Sequence, residues 1–329
     1  MNNTISRRFF LKKTAAGIGA LAAASLPGKV EASKNNQDEH LATVIDIQKC
    51  IGCEACVDAC HKVNDSNYPN PKKPFPKMYP ERTKPEDWSD KKQVRDRLTP
   101  YNWIFIQSVT VNYNNQEKTL TIPRRCMHCI NPPCVKLCPW GAAKQFENGI
   151  SKIDSSICLG GSKCKSVCPW KIPQRQTGVG LYLDIMPSFG GNGVMYKCDR
   201  CYDRIAKGET PACIEECPEG VQTIGKRGDM INLAEKIAKE TNGYIYGINE
   251  NGGTNTFYVS PVPFDMLDKA IKEENGKPHL KVVSDMMGQA NNLAYAMFIS
   301  PIAGIAAAVG TYYNLIKKQK NEGTSNETK

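Results

Sequence analysis

Fifteen cysteines, gathered into four tight groups, dominate what this 329-residue chain can become. The first group is Cys50-x2-Cys53-x2-Cys56-x3-Cys60 and the second Cys126-x2-Cys129-x4-Cys134-x3-Cys138. The third is Cys158-x5-Cys164-x3-Cys168 and the fourth Cys198-x2-Cys201-x11-Cys213-x3-Cys217. The last three groups end in Cys-Pro, at Pro139, Pro169 and Pro218, and no cysteine is left over. Spacing this short lets a loop wrap thiolates round the corners of a cubane iron–sulfur cluster while its amide N–H groups turn toward the sulfides. The cysteine before proline serves the other cluster of a pair, and the proline begins the next element without an N–H to satisfy. Against the C-x2-C-x2-C pattern, the third group has Gly161 where a second cysteine would stand. Glycine offers no ligand, so a [3Fe–4S] cluster is the simplest occupant there. A four-iron cluster with water or the Ser162 hydroxyl at the fourth corner is the alternative.

Other uses of cysteine fit less well. Structural zinc takes pairs of C-x2-C, whereas three cysteines spaced two apart put too many thiolates on one tetrahedral ion. A disulfide framework leaves an odd thiol and pairs badly within such triplets. Covalent haem needs C-x-x-C-H, but Cys53, Cys56, Cys129 and Cys201 are followed by Glu54, Val57, Ile130 and Tyr202. His61 follows Cys60 at the wrong spacing, and His128 reads as a hydrogen-bond donor near cluster sulfur rather than a ligand. A non-redox, cysteine-rich exported scaffold is the distant alternative class.

The N-terminus carries Ser6-Arg7-Arg8-Phe9-Phe10-Leu11-Lys12 and then a weakly apolar run, the pattern of a twin-arginine export signal, with cleavage expected after Ala32. Near the other end Leu293 to Ile316 is 24 residues without a charge, followed by Lys317, Lys318 and Lys320. That length suits a bilayer core and the lysines suit a cytoplasmic end. The expected layout is a signal over 1–32, a cluster-binding domain over 33–290 with an insertion at 61–125, an anchor over 291–318 and a cytoplasmic tail over 319–329. The expected location is the periplasmic side of the inner membrane. The formal charge of +10 invites a nucleic-acid partner. Removing the signal's net +4 and assigning about −2 to each of four ligated clusters leaves about −2, so nucleic acid is not implied.

Between these ends the chain reads as repeats of a cysteine loop, a short helix after Cys-Pro and a small hairpin. Strands are expected at 41–47, 149–154 and 220–225 from their alternation. A hairpin is expected from Trp103–Val111 and Lys118–Ile122 about Asn114-Asn115. Tyr68 to Pro85 reads as an extended surface loop and Leu181 to Val194 as a second insertion. Asp229–Glu240 fits an amphipathic helix, and Tyr244–Tyr258 fits a hairpin about Asn251-Gly-Gly. The fold class expected is α+β: tandem bacterial-ferredoxin-like, pseudo-twofold cluster-binding repeats with β-hairpin insertions, plus a single C-terminal transmembrane helix.

Residues 41–230 resemble the four-cluster ferredoxin subunit of respiratory oxidoreductases, such as formate dehydrogenase, nitrate reductase and dimethyl-sulfoxide reductase. Cys50-Ile-Gly-Cys-Glu-Ala-Cys-Val-Asp-Ala-Cys60, Arg125-Cys-Met-His-Cys129 and Tyr196-Lys-Cys-Asp-Arg-Cys201 carry the resemblance. With the export signal and apolar C-terminal run, Leu98–Asn102 and Phe257–Pro263, the chain resembles the HybA-type subunit of membrane-bound nickel–iron hydrogenases. Formate dehydrogenase or another molybdoenzyme subunit is the alternative. The resemblance implies that outer groups pair together and inner groups likewise. Cluster one would use Cys50, Cys53, Cys56 and Cys217; cluster two, Cys198, Cys201, Cys213 and Cys60. Cluster three would use Cys126, Cys129, Cys134 and Cys168; cluster four, Cys158, Cys164 and Cys138. The third group departs toward the nitrate reductase pattern, where a non-cysteine residue accompanies a three-iron cluster. The implied work is electron relay between a periplasmic catalytic subunit and a membrane quinone-reactive subunit, with no catalytic residues in this chain.

Overall fold

The computed structural model describes residues 37–288, apart from 79–80, 82–83 and 189–192, together with Val309. Met1–Gln37 is a unit of its own and, save Gln37, lies outside the described residues; the expected signal over 1–32 falls there. The strands and sheets belong to the second unit, which begins at Asp38.

Ten strands are described. They are β1 Leu41–Asp46, β2 Phe105–Tyr113, β3 Gln116–Arg124, β4 Ala143–Gln145, β5 Ser151–Ile153, β6 Gln174–Gln176, β7 Val194–Tyr196, β8 Gln222–Lys226, β9 Tyr244–Tyr246 and β10 Thr256–Ser260. The largest sheet runs β8-β1-β10-β9. Within it β1 lies antiparallel to β8 and parallel to β10, with Val44 opposite Phe257. The helix Arg227–Thr241 covers one face, where Ala42, Val44, Phe257 and Val259 meet Met230 and Ala234. Alternation turns Ile45 and Tyr258 to the other face, into the larger core that also holds most of the cysteines. One sheet therefore separates a helix from the cysteine-bearing body.

The three remaining sheets are antiparallel ribbons, β2-β3, β4-β5 and β6-β7. The β2-β3 hairpin forms as expected, with Asn114 and Asn115 both left-handed at φ 54° and 60°, the backbone a tight two-residue turn requires. It runs longer than its hydrophobic pattern, because pairing continues from Phe105–Arg124 to Tyr113–Gln116. Strands at 41–46, 151–153 and 222–226, the helix and the final hairpin also match expectation.

Two expectations are corrected. The short helices lie before Cys-Pro, not after it: Pro133–Lys136, Lys163–Ser166 and Ala212–Glu215 each carry the preceding cysteine, Cys134, Cys164 or Cys213. One turn brings that cysteine and the one four residues later to the same side. The fold class is corrected as well: no helix among the described residues is long and apolar enough to cross a membrane. The longest, Arg227–Thr241, has 15 residues and is amphipathic, short of the roughly 20 that a bilayer requires. The transmembrane helix expected over 293–316 falls on residues outside those described, except Val309. The architecture described is α+β without a spanning helix.

Candidate metal centres

Four short loops present the cysteines, and all four turn the same way. The residue immediately before the second-cysteine position is left-handed in each: Gly52 at φ 74°, His128 at 47°, Gly160 at 62° and Arg200 at 58°. This costs a non-glycine residue about 1 kcal/mol or more, so His128 and Arg200 are held there by their surroundings. The match between Gly52 and Gly160 places Gly161 in register with Cys53.

Cys50, Cys53, Cys56 and Cys217 line one cavity. Cys56 comes from the helix Ala55–Asn64, and Cys217 follows the helix Ala212–Glu215, the two helices packing together. Strand β3 braces the loop: Thr121 Oγ1 donates to the Cys50 carbonyl at 2.6 Å, and a Cβ at Gly52 would come within 3.1 Å of Thr121 Cγ2. The segment between the first and second cysteine groups thus supports this site through β3. Val221 N–H donates to Cys217 Sγ at 3.4 Å. Cys53 is exposed and Ile51 is 64 % exposed, so the site opens at the surface.

Cys60, about one turn beyond Cys56 in the middle of the helix Ala55–Asn64, joins a second group with Cys198, Cys201 and Cys213. Burial, then the thiolates of Cys198, Cys213 and Cys201, push its thiol well above the ordinary range. Arg200 N–H donates to Cys198 Sγ at 3.3 Å, and Asn64 Nδ2 approaches Cys60 Sγ at 3.6 Å. Arg200 also ties this loop to the main sheet, with Nη2 donating to the Asn255 carbonyl at 2.7 Å and Thr256 Oγ1 at 2.9 Å.

Cys126, Cys129, Cys134 and Cys168, the third group, line another cavity beside His128 and Lys197. Burial and the neighbouring Cys134 thiolate push Cys168 up to about 12. His128 is buried, and burial followed by the charges of Arg200, Lys197 and Arg125 holds its imidazole neutral, well below the ordinary value. Its Nδ1 accepts from Ser151 N–H at 3.2 Å, which leaves the proton on Nε2, 4.0 Å from Cys198 Sγ. His128 is therefore a donor toward sulfur, as expected, but toward the second group and not its own.

Cys138, Cys158, Cys164 and Gly161, the fourth group, line a further cavity with Trp140 and Ser162. Met195 N–H donates to Cys158 Sγ at 3.5 Å. Ser162 Oγ reaches the Gly160 carbonyl at 3.5 Å and Met195 Sδ at 3.4 Å. Trp140 is 60 % exposed, so this site also reaches the surface.

The groups form a series. Burial and then Cys213 of the second group push Cys56 of the first up to about 12. Cys198 of the second feels Cys126 of the third, and Cys164 of the fourth feels Cys134 and Cys168 of the third. Among the described residues no three His, Cys, Asp or Glu side chains converge as a single metal ion requires. Eleven of the fifteen thiols instead stand round three separate hollows, an arrangement that suits multi-iron clusters better than single zinc ions with sulfur at about 2.3 Å. The donor set agrees: soft thiols with backbone N–H groups aimed at sulfur. Buried Arg125 Nε and Nη2 have no partner among the described residues, leaving donors for further acceptors.

Loops, crossed cysteines and hollows define a ferredoxin-type iron–sulfur protein. Residues 49–142 and 117–227 each match a 4Fe-4S dicluster domain family. The hydrogenase-2 operon protein HybA of Escherichia coli O157:H7 is 30 % identical over 302 residues, covering 80 % of this chain and 83 % of that protein. The nitrate-inducible formate dehydrogenase iron–sulfur subunit of Escherichia coli (strain K12) is 31 % identical over 286 residues, with the same two coverages of 80 % and 83 %. The formate dehydrogenase-O iron–sulfur subunit of that strain is 32 % identical over 237 residues, 67 % of each chain. The chain belongs to this family of 4Fe-4S iron–sulfur subunits of the HybA and formate dehydrogenase type.

Sequence reasoning missed the residues that close the seam between the second and third groups, Arg125, Lys197 and Arg200. The available signal was a basic residue directly before Cys126, Cys198 and Cys201, read there only as part of a motif.

Proposed function

We propose that the chain is an electron wire without catalytic residues of its own, holding three [4Fe–4S] clusters and one [3Fe–4S] cluster. Cys50, Cys53, Cys56 and Cys217 hold the first, and Cys60, Cys198, Cys201 and Cys213 the second. Cys126, Cys129, Cys134 and Cys168 hold the third, and Cys138, Cys158 and Cys164 the fourth, with Gly161 leaving one corner without a protein thiolate. The observation that carries this reading is the series of the four groups, open to the surface at both ends: the helices bearing Cys60 and Cys213 pack together, Arg125 and His128 cross from the third loop to Cys213 and Cys198, and the helices bearing Cys134 and Cys164 pack together. Electrons enter at one open end, hop singly between clusters and leave at the other, and the clusters supply the redox chemistry. The protein sets order, burial and hydrogen bonds to sulfur, which tune the potentials.

The partner proposed is a periplasmic nickel–iron hydrogenase catalytic subunit, with a membrane quinone-reactive subunit at the other end. Similarity to HybA supports this, as does the chain's own Ser6–Lys12 export signature. Similarity to formate dehydrogenase subunits supports the second reading, a molybdoenzyme partner. Metal analysis of the complex extracted anaerobically in mild detergent tests both. Nickel, with about 15 irons in this chain besides the partner's own, supports the first. Molybdenum or tungsten without nickel supports the second, and zinc without acid-labile sulfide overturns the wire altogether.

A further inference from the structure

At the seam between the second and third groups two buried cations change places. Arg125 stands directly before Cys126, the first cysteine of the third group, yet its Nη1 donates to Cys213 Sγ of the second at 3.5 Å. Lys197 stands directly before Cys198, the first cysteine of the second group, yet it lines the cavity of the third group beside Cys126, Cys129, Cys134 and Cys168. Both are buried, 2 % and 5 % exposed. Lys197 Nζ donates to the carbonyls of Ser151 and Cys198, and the nearby Asp199 carboxylate pairs with Lys152. Among the described residues neither cation has a carboxylate at ion-pair distance. The outer groups lack this device: Lys49, before Cys50, is exposed and faces Asp46, and Ile157, before Cys158, carries no charge. His128 crosses in the same sense, from the third loop to Cys198.

A buried cation without a counter-charge is strongly unfavourable, and the negative charge that would stand in reach here is that of cluster-ligating thiolates and the cluster they hold. Each electron added to a cluster adds one negative charge, which a fixed cation beside it stabilises.

We propose that Arg125 and Lys197 are crossed counter-ions, each supplied by one cluster's loop to its neighbour's cluster, and that they hold the second and third clusters at raised reduction potential. The inner clusters thereby become the resting place of an electron in transit, and each loop must be in place for the other's cluster to be fully neutralised. This rests on the cluster assignment proposed above.

Lys197→Met and Arg125→Met remove the charges with little change in bulk. In the intact complex, anaerobic potentiometric titration followed by electron paramagnetic resonance reads the midpoints, with iron and acid-labile sulfide measured alongside. With iron unchanged, each variant makes one four-iron centre at least tenfold harder to reduce, a midpoint lower by about 59 mV or more for a one-electron couple. The two variants move different centres. Midpoints that stay within about threefold of wild type on the same scale, or the same centre moving in both variants, overturn the proposal. Should a methionine variant lose its cluster, Arg125→Lys decides, because it keeps charge in less bulk. Arg125→Lys with clusters and midpoints retained supports a requirement for charge; loss as severe as in Arg125→Met makes the role one of shape and overturns it. A wild-type preparation without acid-labile sulfide is a separate result: it overturns the cluster assignment, and this inference with it.

Discussion

Placing a cysteine at Gly161 will complete the fourth group if that glycine stands at the missing ligand position. A Cβ built there meets no heavy atom within 4 Å, and the backbone is outside the left-handed region, unlike Gly160 at φ 62°. The substitution therefore brings neither clash nor backbone strain. Losing a glycine also narrows the unfolded ensemble, a stabilising effect of about 0.4–1 kcal/mol. Stability of the fold will thus change by less than about 1 kcal/mol, and the consequence falls on the metal. Gly161→Cys restores Cys-x2-Cys-x2-Cys in a loop whose left-handed residue already matches that of Cys50–Cys56. Iron will rise by about one atom per chain, from about 15 to about 16. In electron paramagnetic resonance the three-iron signal of the oxidised protein will vanish, and a further four-iron signal will appear on reduction. An oxidised signal that persists with unchanged iron would refute the reasoning, because the open corner would then lie elsewhere.

The crossing of ligands has its own test: Cys217→Ser will cost one cluster, about four irons per chain, although it lies 161 residues beyond Cys56 in a different loop. Full iron content in that variant would sink the proposed pairing of the first and fourth groups. On the alkaline side Tyr101 gives a pH dependence. Burial, followed by the charge of Asp87, raises its phenol to about 12 from the ordinary 10, and its hydroxyl donates to the Pro69 carbonyl at 2.9 Å. Between about pH 10 and 12 the unfolded chain gives up this proton and the folded one keeps it, so the contribution is complete below 10 and lost as pH rises through 12. Tyr101→Phe will lower stability at neutral pH by about 1 kcal/mol through the lost hydrogen bond. It will also show a shallower decline above pH 10, and an alkaline limb identical to wild type would refute the assignment.

The cysteine groups were legible because their chemistry is local. Three thiols within seven residues, as in Cys50–Cys56, can be directed to one cluster by a single turn of backbone, and the spacing records that turn. The β2-β3 hairpin and the helix Arg227–Thr241 were legible for the same reason, through an Asn-Asn turn and a helical period of apolar residues. The helices before Cys-Pro were misplaced because four-residue elements such as Pro133–Lys136 are too short to carry a period. The parallel pairing of β1 with β10 joins residues 43–46 to 256–259, and nothing in either strand names the other.

By itself, then, the sequence determined that the chain is built to hold iron–sulfur clusters, which thiols share a loop and which loop is short of one. Tertiary structure alone decided the order of the four groups, the opening of the first and fourth to the surface and the exchange of Arg125 and Lys197 across the seam. The reason is physical: a loop's ligand geometry follows from bond lengths and a few dihedral angles. The neighbours of a buried charge depend instead on how segments far apart in the chain pack together, and no short-range pattern encodes that.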